Sequence, residues 1–250
     1  MKNIRKVSND LKKNGFAHIS TLLTSSEIYK IEKSLINLIT NLSKKENKNF
    51  HIKSKKIINF QSKKFKKESL KLLEEIELKD NKFFYEISKE CGRLIIFSEI
   101  DTKIKKILIS FFNKKDYLIA KKFPIMLFNK KNLERLKYEW HQELSFNDLS
   151  KFGLHLWFPL FRSVKKDGDG GMLFALKSHR AVYDYKKIKK TGSWTQKIPN
   201  VNVEKKFKIK SVGAKLGEAI LFVDKLLHKS DIQKNMIPRT SIVIRYLGEK

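Results

Sequence analysis

The sequence predicts an antiparallel β-sandwich or barrel braced by N-terminal helices, a mainly β chain of the α+β class. Three observations predict it. Apolar residues recur at helical spacing early in the chain. From about residue 116 they gather instead in short strand-like runs, and glycine-rich turns separate those runs. The 250 residues suit a single domain: a helical support over 1–115, with a Lys-rich insertion at 43–68, and a strand-rich core over 116–250.

Ser8-Asn9-Asp10 is a capping sequence for a short helix ending at Gly15. Residues 16–22 alternate as a strand does. Thr24-Ser25-Ser26-Glu27 has the pattern of a capping box, and the helix it opens carries Ile28, Ile31, Leu35, Leu38 and Ile39 on one face. Residues 43–68 hold few apolar anchors among Lys and Asn and read as a surface insertion or mobile lid. Helical spacing resumes over 69–112, first with Leu70, Leu73 and Ile76, then with Ile104, Ile107, Leu108 and Phe111. Strand-like runs follow at 117–128, 154–161, 171–176, 207–212, 219–223 and 240–247. Turn signals lie between them at 166–171, Thr191-Gly192-Ser193 and 213–217.

Composition excludes several classes. A hydrophobic content of 41%, with 18 Phe, argues against disorder despite 32% charged residues. No run approaches 18 uncharged apolar residues, so no transmembrane helix is expected. The opening residues carry charge but no apolar core of a secretory signal. The single cysteine, Cys91, forms no internal disulfide and rules out a Cys-built zinc site. These features together predict a cytoplasmic protein. The net charge of +29 comes almost wholly from Lys spread along the chain. Lys, Asn and Ile share A/T-rich codons, and phosphate readers cluster their cations on one element, so a nucleic-acid partner is disfavoured. An acidic or phosphorylated small-molecule substrate remains a further reading of the charge. Oligomeric state is not legible.

The chemistry lies among the histidines. In Trp140-His141-Gln142-Glu143, an extended backbone turns His141 and Glu143 to the same face, where both can meet one ion. Two imidazoles and one carboxylate on one side of an octahedral ion make the facial triad of non-heme Fe(II) oxygenases. The second imidazole must come from a distant strand. His228 is the best candidate, because it follows a turn and an apolar strand, 217–223. Arg239 stands 11 residues after His228, at the start of the next strand. A hairpin returning to the same face brings its guanidinium into the same cavity, where it can hold a carboxylate through two parallel hydrogen bonds. Iron beside a buried carboxylate anchor is what 2-oxoglutarate needs.

Residues 140–246 resemble the phytanoyl-CoA dioxygenase family of Fe(II)/2-oxoglutarate-dependent oxygenases. The resemblance is carried in order by Trp140-His141-Gln142-Glu143, His155-Leu156-Trp157, Gly170-Gly171-Met172-Leu173, Lys177-Ser178-His179-Arg180, Gly217-Glu218, His228-Lys229-Ser230 and Arg239. The opening, Asn14-Gly15-Phe16 and the helix after Leu22-Leu23-Thr24, fits more loosely, and 41–115 hardly at all. The resemblance implies a double-stranded β-helix, the cupin-like jelly roll. It implies Fe(II) on His141, Glu143 and His228, with 2-oxoglutarate and O2 as co-substrates. Arg239 and Ser230 would meet the distal carboxylate, Trp157 would pack beside the co-substrate, and Gln142 would face the same pocket. The implied reaction hydroxylates an unactivated C–H of a small molecule or metabolite and releases succinate and CO2.

This sequence departs from the family pattern at two positions. Glu143 stands where Asp is usual; it still supplies a hard anionic oxygen, whereas Gly or Ala would leave a vacancy for a halide. Lys177 replaces a turn glycine, which disfavours a left-handed backbone there. Of the other candidates, His155 shares a face with Trp157 and is either pocket-lining or a half-buried structural residue. His179 reads as structural, His18 and His51 as surface residues, and Cys91 as core. Arg180, Lys121 and Lys122 are cations available to an acidic substrate. Two further functions stay open: a basic jelly-roll module gripping nucleic acid or an acidic polymer with a vestigial metal site, and a 2-oxoglutarate-independent cupin-type metalloenzyme, against which Arg239 argues.

Overall fold

Amphipathic spacing makes the first part of the chain helical. The computed structural model describes residues 4–52, 62–94, 96–112, 118–131, 138–143, 152–190, 193–198, 201–231 and 233–249. Helix α1 (Ile4–Asn14) leads into strand β1 (Phe16–Ile19), followed by α2 (Ser25–Lys45), α3 (Lys63–Lys79), α4 (Asn81–Glu90) and α5 (Ile96–Phe112). The first helix starts earlier than its expected cap. Ser8 lies inside it, hydrogen-bonded to Ser110 of α5 at 2.9 Å, because Ile4 and Val7 already pack against the core one turn before Leu11. Gly15, at φ +82°, ends α1 in the left-handed conformation that suits glycine. Thr24 and Glu27 form the expected capping box on α2, whose buried stripe is Ile28, Ile31, Leu35, Ile36 and Ile39, with Leu38 at its flank. Both ends of the expected 43–68 insertion are helical: α2 runs to Lys45, and the Ser62 side chain caps α3 by accepting from the Phe65 amide. Residues 53–61 lie outside the described residues.

The strands are β2 (Leu118–Asn129), β3 (Phe152–Leu160), β4 (Met172–Ala175), β5 (Lys186–Lys190), β6 (Ser193–Lys197), β7 (Ile209–Val212), β8 (Ala219–Val223), β9 (His228–Ser230) and β10 (Arg239–Glu249), with a one-turn helix α6 (Val203–Lys206) before β7. They form two facing antiparallel sheets in jelly-roll fashion, of order β1-β8-β3-β10-β2 and β7-β4-β9, and a separate β5-β6 hairpin. The hairpin and the three-residue β9 are not among the predicted strands. Of the predicted turn Thr191-Gly192-Ser193, residues 191–192 lie outside the described residues, as does Tyr117.

Strand alternation sorts the large sheet into two faces. One face meets the helices: Phe128 packs edge-on against Phe84, and the Tyr246 hydroxyl donates to Asp101 at 2.8 Å. The other face meets the small sheet, where Phe222 lies 5.5 Å from Phe174 between ring centroids. Register puts Val243 opposite Trp157 and Arg245 opposite His155, with Arg239 opposite Asn129 on β2. Arg239, Ser241, Val243 and Arg245 therefore share the inner face with His155 and Trp157. Among the described residues, no helix is long and apolar enough to cross a membrane.

The expectation for Lys177 does not hold. Its φ is +67°, left-handed, although it carries a side chain. The turn that follows is fixed from both sides. The Ser178 hydroxyl accepts from the Leu227 amide at 2.9 Å, and the Ala181 amide bonds the Ser178 carbonyl at 3.2 Å. The fold holds Lys177 in a conformation its own backbone disfavours by about 1–2 kcal/mol. Lys177→Gly relieves that strain and adds roughly 0.4–1 kcal/mol of unfolded-state entropy. The expected outcome is a net gain of about 1 kcal/mol in denaturant unfolding, and a loss of stability would show the strain to be absent.

Candidate metal centre

The segment 138–143 runs alongside β9. His141 and His228 exchange two backbone hydrogen bonds of 3.0 Å, the Ser230 amide donates to the Tyr138 carbonyl at 3.2 Å, and the Glu143 amide donates to the Asp224 carbonyl at 2.9 Å. Pairing brings the two imidazoles to 4.2 Å between ring centroids. Glu143, two residues on, turns to the same side. Its Oε1 lies 3.7 Å from Nε2 of His141 and 3.5 Å from Nε2 of His228. One ligand atom from each of the three side chains lies within 4.8 Å of the other two, and all three residues are buried.

Protonation follows from the carbonyls behind the rings. Nδ1 of His141 lies 2.6 Å from the Glu139 carbonyl, and Nδ1 of His228 lies 2.9 Å from the Leu226 carbonyl. A carbonyl only accepts, so each Nδ1 carries the proton, and in the neutral ring Nε2 presents a lone pair. Burial lowers the pKa of His228, favouring the neutral ring. Burial alone would raise the pKa of Glu143, but the guanidinium of Arg245 holds it well below the ordinary carboxylate range. Lone pairs and an anionic oxygen thus converge at distances longer than hydrogen bonds, which is the donor set of a divalent transition metal.

A second polar region on the inner face suits a carboxylate. Arg239 is 4% exposed; its Nη1 donates to Ser241 at 2.6 Å, while its Nε has no hydrogen-bond partner among the described residues. Burial lowers its pKa to about 10, a depression the Arg162 charge adds to and Asp169 opposes. The guanidinium lies 5.9 Å over the Trp157 ring. The indole nitrogen of Trp157 and both side-chain polar atoms of Asn129 are also buried without partners among the described residues. Orphaned donors around a buried cation cost free energy until an anion meets them, so these residues fit the distal end of 2-oxoglutarate.

Of the sequence-predicted residues, His141, Glu143 and His228 converge, and Arg239 and Trp157 meet on the inner face. Ser230 sits on β9 beside the triad, where its hydroxyl oxygen accepts from the Tyr138 amide at 3.3 Å. Gln142 is a correction. Its amide donates to the Ala181 carbonyl at 2.9 Å and the Lys225 carbonyl at 2.5 Å, while its oxygen accepts from the Tyr183 amide at 2.9 Å. It brackets two loops, because alternation turns it away from the face His141 and Glu143 share. His155 is not half-buried but 0% exposed, stacked on Phe222 at 5.2 Å, with neither ring nitrogen hydrogen-bonded among the described residues. His179 is structural, lying 3.1 Å from the carbonyl of Lys12 at the end of α1. His18 is part-exposed beside Glu218, His51 is exposed, Cys91 is core, and Arg180 is exposed. The side chains of Lys121 and Lys122 lie outside the described residues. Sequence reasoning missed Arg245, whose Nε donates to Glu143 Oε2 at 3.1 Å, and Tyr138, whose ring lies 5.6 Å from that of His141. The signal for Arg245 was its parity with Arg239.

Comparison with known proteins gives three findings. The family model of phytanoyl-CoA dioxygenase (PhyH) matches residues 11–241. No individually curated protein matches by sequence. Solved structures match over almost the whole chain. EvdO2 from Micromonospora carbonacea var. aurantiaca, complexed with 2-oxoglutarate, has a TM-score of 0.59 at 12% identity and covers 98% of this chain and 92% of its own. The epimerase SnoN from nogalamycin biosynthesis, complexed with Fe3+, α-ketoglutarate and nogalamycin RO, has a TM-score of 0.53 at 11% identity, covering 98% and 83%. The α-ketoglutarate-dependent carbocyclase SnoK, from the same biosynthesis, has a TM-score of 0.56 at 11% identity, covering 97% and 83%. These likenesses establish the jelly-roll fold.

Asp224, whose carbonyl receives the Glu143 amide, generates a pH prediction. Burial raises its carboxyl pKa from 3.8 to about 7, and one of its oxygens lacks a partner among the described residues. The folded state therefore binds a proton that the unfolded state has released between those values, so this contribution is fully present below pH 3.8 and lost as pH rises through about 7. Relative to Asp224→Asn, the apoprotein should lose stability across that window with a slope approaching about 1.4 kcal/mol per pH unit. Parallel stability–pH curves for the two proteins would show that Asp224 ionises equally in both states.

Proposed function

The chain belongs to the phytanoyl-CoA dioxygenase family, and on that footing we propose that it is an Fe(II)- and 2-oxoglutarate-dependent oxygenase that hydroxylates an unactivated C–H of a small-molecule substrate. The observation that carries this reading is the convergence of one ligand atom each from His141, Glu143 and His228 within 4.8 Å, on a fold whose inner face also buries Arg239. When bound, iron with 2-oxoglutarate and dioxygen supplies the oxidising power, with succinate and carbon dioxide as co-products.

The residues divide the remaining work. His141 and His228 through Nε2, and Glu143 through Oε1, would hold the metal. Arg239, 5.9 Å over the Trp157 ring, would meet the distal carboxylate through its fork, while Ser230 keeps a hydroxyl hydrogen to donate to the same group. Phe174 and Phe222 wall the centre with apolar surface and exclude water; their rings lie 6.2 and 4.8 Å from His228. No acid–base residue is required. The outcome is argued from Glu143: because it fills the carboxylate position, no halide can take that place, which favours hydroxylation over halogenation. The similar folds include an epimerase and a carbocyclase, so an outcome other than hydroxylation is the reading to test against. Succinate release from metabolite pools, with Fe(II) and 2-oxoglutarate supplied, finds the substrate, and mass analysis of the product distinguishes a gain of one oxygen from an isomer or a desaturated ring.

His141→Ala, Glu143→Ala and His228→Ala should each abolish turnover and weaken Fe(II) binding with the fold retained, as judged by circular dichroism. Stoichiometric, tight Fe(II) binding by His228→Ala would remove that residue from the centre. Arg239→Ala leaves a buried carboxylate without its partner, a loss of about 3–5 kcal/mol. The 2-oxoglutarate requirement should rise roughly 10²- to 10³-fold, with iron affinity nearly unchanged and partial recovery in Arg239→Lys. Anaerobic titration of 2-oxoglutarate against the iron charge-transfer absorbance measures it, and an unmoved midpoint would place the anchor elsewhere.

A further inference from the structure

Two guanidinium groups, the buried Arg239 and the half-buried Arg245, project from the inner face of β10, and they have different partners. Arg239 faces the orphaned Asn129 and Trp157. Arg245 lies roughly 20 Å further along the strand, at about 3.3 Å per residue, too far to serve the same carboxylate. Among the described residues its one hydrogen-bond partner is Glu143, whose Oε2 accepts from Nε at 3.1 Å. The other oxygen, Oε1, is the one turned to Nε2 of His141 and His228, at 3.7 and 3.5 Å. The carboxylate is thus divided, one oxygen on the guanidinium and one toward the imidazoles.

We propose that Arg245 is a positioning residue for the metal centre: by holding Oε2 it makes Glu143, in place of the shorter Asp, a carboxylate that offers a single oxygen to the ion. This rests on the reading of His141, Glu143 and His228 as metal ligands. Glutamate has one more rotatable bond than aspartate, and an untethered carboxylate ligates through either or both oxygens. A second oxygen on the ion would occupy a position the co-substrates need. The tether must itself be rigid, and its origin is. Arg245 sits mid-strand in β10, paired with His155 of β3 on one side and Phe123 of β2 on the other. Its side chain is only 16% exposed, so water does not compete freely for the guanidinium. The geometry is that of an outer partner that orients a ligand without touching the metal.

The test is Co(II) titration of the metal-free full chain, read by visible absorption, which reports both affinity and ligand geometry without turnover. Arg245→Gln should weaken Co(II) binding 10- to 100-fold and alter the band intensities, with partial recovery in Arg245→Lys. In the Glu143→Ala background, Arg245→Gln should cause no further weakening, since the carboxylate through which it acts is gone. Wild-type affinity and spectrum in Arg245→Gln would overturn the proposal. So would equal weakening in both backgrounds, the mark of a merely structural residue. Should Arg245→Gln fail to fold by circular dichroism, Arg245→Lys carries the same comparison in both backgrounds. Failure of the wild-type chain to bind Co(II) would instead overturn the metal-centre reading and this proposal with it.

Discussion

Two backbone hydrogen bonds, exchanged between His141 and His228, are the constraint on which the site depends. They join segments far apart in sequence, and by joining them residue to residue they leave the side chains no choice of distance. Everything else at the centre refines that pairing. The carbonyls of Glu139 and Leu226 set the tautomers, Asp224 receives the Glu143 amide, and Arg245 takes the outer oxygen of its carboxylate. A site built this way is positioned by sheet register, which side-chain packing alone would specify far less sharply.

The inner face that carries this chemistry is poor ground for stability. It buries one guanidinium and half-buries another, with a carboxylate and three imidazoles, and both ring nitrogens of His155 and Nε of Arg239 have no partner among the described residues. The opposite face of the same sheet is apolar and packs on helices α4 and α5 in the ordinary way. One sheet thus does two jobs, the helix-facing side supplying the cohesion that lets the other side hold charge out of water.

Most of the architecture was legible because it rests on periodicity. The capping box at Thr24, the stripe on α2 and the long runs of β2, β3, β8 and β10 each announce themselves by spacing. What escaped has physical reasons. Strand β9 is three residues long and too short for any pattern, and β5 sets Lys on both sides of a single Ile, so it has no apolar alternation to read. Lys177 takes a backbone conformation that its side chain argues against, since the turn around it decides. At the centre, the triad and Arg239 could be picked out by residue type and order. The role of Gln142 could not be read from its neighbours' chemistry, though alternation alone turns it away from their face. Arg245 hid within an apolar strand, where one cation reads as an interruption; only its even spacing from Arg239 ties it to the site.

Strand β10 sits between β3 and β2 in the large sheet yet is the last of that sheet to be made. Until it emerges from the ribosome, β2 and β3 have no partner between them, and β1, although synthesised first, waits for β8. Helices α1 to α5 can gather locally while the sheet they cover is still incomplete, so the nascent chain holds long unpaired strand edges and exposed apolar faces. Such a fold is slow to close, because its decisive contacts are distant in sequence, and its vulnerable period is biosynthesis. Its dependence on chaperones should accordingly be set by how long translation takes to deliver β10.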